Sequence, residues 1–133
     1  MDTLRDIQHA SRAARTRAEL EAVIVAVCDG IQTRTEDNPA CLDSWVREAG
    51  RSVICQLQHQ QITLPLLARL VEAALSRGCD CAAVTLSSYC DTLPDYEDGK
   101  LLQWMSDIPC GKENVEWAAH VRRVKSIFED DEE

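Results

Sequence analysis

A chain of 133 residues, 45% apolar and poor in aromatics, excludes wholesale disorder and fits one domain with a core of Leu, Val, Ile and Ala. No apolar run approaches the roughly 18 residues of a membrane span. A net charge of −9 argues against direct nucleic-acid binding, which needs clustered Lys or Arg.

The opening, MDTLRDIQHASRAARTR, has no apolar stretch of a secretory signal. Asp2 and Asp6 are out of place in a transit peptide, so a cytoplasmic protein is expected. Residues 3–14 read as a short helix with Leu4 and Ile7 its only large apolar residues. Arg5, Arg12, Arg15 and Arg17, interrupted by Asp2, Asp6 and Glu19, read as a solvated face. Thr16 and Glu19 match a capping box, in which the hydroxyl takes an orphan N–H and the carboxylate reaches back. The helix predicted after it carries Leu20, Val23, Ile24, Val27 and Ile31 at helical spacing, with Val25 and Cys28 widening the stripe.

TEDN before Pro39 reads as a linker, with Asn38 as N-cap and Pro39 at the first helical position. Leu42, Trp45, Val46, Ala49, Val53, Ile54 and Leu57 then trace one face. Gly50 lies within it at a cost of about 1 kcal/mol relative to Ala, either to permit a close helix crossing or as a tolerated residue. His59 ends this stretch, where an imidazole suits the helix dipole.

Thr63 opens the next helix with Pro65 in its first turn and Leu66, Leu67, Leu70, Val71, Ala74 and Leu75 as its stripe. Gly78 is placed to end it in the left-handed conformation. Asp80 is placed to cap CAAVTLSSYCDTL, with Ala83, Val84, Leu86, Tyr89, Cys90 and Leu93 on the apolar side. Pro94 breaks the chain, the loop DYEDG follows, and KLLQWMSDI forms a short helix ended by Pro109. After CGKEN, Val115, Ala118, Val121 and Phe128 give a last stripe flanked by Trp117 and Val124. Glu129–Glu133 run against the helix dipole and predict a disordered acidic tail after a helical domain of residues 1–128. The fold expected is all-α, a compact bundle of about six or seven short-to-medium helices, with a homodimer as an option.

Seven cysteines, an odd number, argue against a full disulfide framework. Cys28, Cys41 and Cys55 lie in or beside apolar helical stretches and read as small buried hydrophobes. Cys79-x-Cys81, with Cys90, Cys110 and His120, is the sharpest metal option. It lacks a C-x₂-C pair and straddles two predicted helices, so no metal is expected. His9, His59 and His120 sit in no local motif, so no catalytic residue is assigned. Phosphate-binding loops are absent, no cofactor is expected, and Asp95, Glu97, Asp98 and Gly99 lack the spacing of a calcium loop.

Residues 79–133 carry five basic and thirteen acidic groups, nearly all of the net charge. Within them, Asp95, Tyr96, Glu97 and Asp98, followed by Trp104, are the candidate partner-binding residues. An aromatic ringed by acids can anchor a basic surface, because aromatics dominate interface energy and complementary charge steers encounter. The expected function is a small non-enzymatic protein-binding module, such as a helical adaptor, antiactivator or inhibitor, whose partner has a basic surface. One alternative is an acidic nucleic-acid mimic, like inhibitors of phages or mobile elements. Another is a Cys-dependent metal-binding regulator or enzyme.

Overall fold

The computed structural model describes residues 4–34, 38–57 and 62–130, which form seven α-helices with no strand among them. These are α1 (Leu4–Ala13), α2 (Arg17–Thr33), α3 (Pro39–Leu57), α4 (Leu64–Ser76), α5 (Asp80–Ser87), α6 (Leu101–Asp107) and α7 (Val115–Asp130). No described helix is long and apolar enough to cross a membrane. The side chains of Pro39, Gln56, Leu57, Asp98, Phe128, Glu129 and Asp130 lie outside what is described, as do residues 35–37, His59 and residues 131–133.

Several helices start and stop where local chemistry requires. Thr16 accepts the Glu19 N–H at 3.2 Å, while the Glu19 carboxylate takes the Thr16 hydroxyl at 3.2 Å and the Arg15 N–H at 3.4 Å. The capping box therefore forms with its returning arm one residue early. Asn38 accepts the Ala40 N–H at 2.9 Å ahead of Pro39. At the end of α4, Gly78 adopts φ +71°, the Cys79 N–H reaches Ala74 O at 2.9 Å, and the Gly78 N–H reaches Leu75 O at 3.0 Å. This is a Schellman termination, which a side chain at Gly78 would strain.

The short α5 lies at the centre, packed against α3, α4 and α7, while α1 covers α3, and α2 packs on α3 and α4. Ala82, Ala83 and Leu86 of α5 are fully buried, as are Ile24, Val27 and Ile31 of α2, Val46 and Val53 of α3, and Leu67 and Leu70 of α4. Gly50 marks a close crossing: a Cβ there would stand 2.6 Å from a Leu86 methyl, so α3 and α5 touch where any larger residue would force Leu86 to shift.

The structure corrects some sequence expectations. Val25 is 39% exposed and does not join the core stripe of α2. Cys41 and Cys55 are exposed and Cys28 is half-buried; the buried thiols are Cys79 and Cys90. The helix after Gly78 ends at Ser87 and continues as a 3₁₀ turn over Ser88–Thr92. There the Ser88 hydroxyl donates to Thr85 O at 2.6 Å and the Thr92 hydroxyl to Tyr89 O at 2.7 Å, competing with the helical ladder. In α7, Trp117 is 1% exposed whereas Val115 is 63% exposed, so the buried face is turned towards Trp117, Val121 and Val124. The helical backbone of α7 continues through Asp130.

Candidate functional site

Five helix ends are satisfied by side chains from elsewhere in the fold. Asp80 does not cap its own helix. One carboxylate oxygen accepts the Trp117 N–H of α7 at 3.1 Å, and the other accepts the Asn114 amide at 2.8 Å. That amide also donates to Leu75 O at 3.0 Å, tying the start of α7 to the end of α4. The open amide at the start of α5, Ala82 N–H, is taken by Asp43 of α3 at 3.0 Å. Asp95 accepts the Leu64 N–H at 3.0 Å, at the start of α4. Arg77 donates to Ile31 O at 2.7 Å and Gln32 O at 3.0 Å at the end of α2. Orphan helix N–H and C=O groups need such partners, and a carboxylate at an N-terminus also meets the favourable end of the dipole.

The residues singled out in the acidic loop are thereby divided. Asp95 and Trp104 converge on one residue: Asp95 takes the Leu64 N–H, and the Trp104 indole donates to Leu64 O at 3.0 Å. Asp95 thus ties the acidic loop to the start of α4, and Trp104 ties α6 to it. Glu97 pairs with Lys100 at 3.1 Å, with both side chains well exposed. The side chain of Asp98 lies outside what is described. Tyr96 is half-buried and lines a hollow.

That hollow belongs to a series along the seam of α5 and α7. The first, about 530 Å³, lies between α3 and the starts of α5 and α7, lined by Asp43, Arg47, Asp80, Cys81, Glu113, Val115 and Glu116 among others. Arg47 is held by Asp43 at 3.0 Å. Cys81 and Glu116 also line the second, about 340 Å³, with Val84, Ala119 and Arg123. Val84 leads into the third, about 260 Å³, where Tyr96, Leu101, Met105, His120 and Val124 meet Cys90 and Asp91. The face is thus acidic where α7 begins and mainly apolar further along. Ile127, 61% exposed, lies one helical turn beyond Arg123 on α7.

The thiols here are held protonated. Burial pushes Cys28, Cys79 and Cys90 up to about 11; at Cys90 the Asp91 charge adds to the effect while backbone hydrogen bonds oppose it. At neutral pH such a thiol is thiolate in roughly one molecule in ten thousand. Cys81 is exposed, but its thiol donates to the Glu116 carboxylate at 3.0 Å, which raises its pKa. Burial, reinforced by the Arg123 charge, lowers His120 below its ordinary value and favours neutral imidazole. Its ring lies 5.8 Å from that of Trp117. Among the described residues, no three His, Cys, Asp or Glu side chains gather as a metal ion requires.

Sequence reasoning missed Glu113, Glu116 and Ala119, and took Val84 only as part of an apolar helix side, because a seam whose facing residues Cys81 and Glu116 lie 35 positions apart leaves no local pattern. Its nearest signal was the exposed, mixed apolar and charged surface of the last helix. No family model matches the chain, and no curated protein or solved structure matches it.

Proposed function

We propose that this chain is a non-enzymatic protein-binding module whose α5–α7 face receives a partner that is basic opposite Glu113 and Glu116 and apolar opposite Val84 and Val124. The observation that carries the reading is the ordered series of open hollows on that one face, acidic at one end and apolar along the rest. Apolar surface that stays open on a folded domain is a usual mark of interaction, and acidic groups at its edge select a basic partner and speed encounter. Protonated thiols and a neutral imidazole supply shape and apolar surface here rather than an activated nucleophile. Of the acidic loop, Tyr96 is the residue that meets the partner, while Asp95 and Trp104 hold the elements behind it.

The test compares lysate capture by tagged wild-type protein, a Glu116→Lys/Ala119→Arg variant and a Val25→Asp control, at low and high salt. Both altered seam residues border open space, so helix content by circular dichroism should be unchanged. Wild type and the control should retain the same stoichiometric partner, the seam variant should lose it, and salt should weaken it. A partner kept by the seam variant would place binding elsewhere on the molecule.

A further inference from the structure

Resting on that reading, we infer that the occupant of the seam is an amphipathic helix of about three turns, presenting one cation and then two apolar side chains at successive turns. The length follows from α7: the rise from Glu116 to Ile127 is about 16 Å, or three turns. The order follows from the hollows. The acidic one at Glu113 and Glu116 comes first, the Val84–Ala119 hollow second, and the hollow of Tyr96, Leu101 and Val124 third. Ala119 and Val124 are about 7 Å apart along the axis of α7. That is within about 1.5 Å of the roughly 6 Å rise between side chains four residues apart on a docked helix.

The type of element follows from what the face offers. Strand addition needs an open sheet edge, and the described residues contain no strand. Polyproline docking needs an aromatic-lined groove, and Tyr96 is the single aromatic residue lining the two apolar hollows apart from the imidazole of His120. A seam between two helices is the form of groove that accepts a third helix. The cation is confined to one end: Arg123 borders the second hollow and repels a Lys placed there, while Arg47 is already engaged by Asp43 and leaves Glu113 and Glu116 to be matched.

The test uses fluorescence polarisation with synthetic helical peptides in an Ala/Gln background. One carries Lys, Leu and Leu at four-residue intervals, the second carries Leu, Lys and Leu at the same places, and the third carries Glu, Leu and Leu. The first should bind wild-type protein about tenfold more tightly than the other two, and this preference should vanish with Glu116→Lys/Ala119→Arg. Equal binding of all three peptides would overturn the inferred order. If lysate capture depends on the seam but no helical peptide binds, the inferred helix is wrong while the docking face stands. Sedimentation showing a dimer that the seam variant dissociates would make the occupant a second copy and overturn the inference.

Discussion

Asp80 is the residue whose removal should be felt most widely. It is 7% exposed, and its two oxygens take the Trp117 N–H and the Asn114 amide. Asp80→Ala leaves both donors without this acceptor in a buried place and frees the start of α7. A cost of about 2–4 kcal/mol is expected in urea unfolding. Asp43→Ala and Asp95→Ala remove caps nearer the surface and should cost about 1 kcal/mol each. If Asp80→Ala costs no more than those two, the Asp80–Asn114 junction does not hold α7 in place. Glu116→Gln should speed iodoacetamide labelling of Cys81, because the carboxylate that stabilises its protonated form is gone. Mass spectrometry of the labelled peptides would read the change at that one thiol. These roles are hidden in the sequence because each carboxylate serves a helix other than its own. Asp80 resembles a local cap by position, and Asp95 resembles a binding residue by its neighbours.

The helices themselves follow two kinds of rule. In α2 and α3 the caps are local, α4 begins at Thr63 and Pro65 but takes its cap from Asp95 rather than from the Thr63 hydroxyl, and the stripes Leu20–Ile31, Leu42–Ile54 and Leu66–Leu75 supply the core. Those segments were legible because a capped helix with one apolar face has one way to turn that face inward. The rotation of α7 was not legible. Its apolar residues lie on more than one face, and the tertiary bond to the Trp117 N–H fixes its start. The candidate site shares that limit: Tyr96 was visible among its acids, whereas Val84 and Ala119 become partners only after α5 and α7 lie side by side. Leu70→Ala, at a fully buried position of α4, should cost roughly 2–5 kcal/mol in the same unfolding assay. Gly50→Ala tests the α3–α5 crossing more sharply. Alanine gains about 1 kcal/mol of helix propensity, but its methyl meets Leu86, which is itself fully buried. Overpacking of about 1–3 kcal/mol should win and leave the variant less stable. In the Gly50→Ala/Leu86→Ala double variant, the clash is gone and the two costs should fall short of additive by about 1 kcal/mol or more. Strict additivity would mean that α3 and α5 do not press on each other there.

At the scale of the whole molecule, the third hollow joins elements far apart in the chain: the 3₁₀ turn after α5, the acidic loop, α6 and α7. His120 stands among them, with Cys90 and Asp91 on the turn and Met105 on α6, and it feels the charge of Arg123, which borders the second hollow on its own helix. Its lowered pKa ties this junction to pH, and the sign follows from proton counts. Folding holds the imidazole below its ordinary 6.5. As pH falls through that ordinary value the unfolded chain takes up a proton before the folded one does, so stability present at neutral pH is lost on acidification. A His120→Gln variant cannot bind that proton. Urea unfolding of the two proteins at a series of values from about pH 7.5 to 5.5 should show wild type losing stability relative to the variant across this window. Parallel curves would mean that His120 titrates alike in the folded and unfolded chains. A wild type that gains relative to the variant would mean that a carboxylate such as Asp91 controls the imidazole instead of burial. The same protonation would place a cation in an apolar hollow beside Arg123, so affinity for a basic helix should fall over the same window in wild type and stay level in His120→Gln.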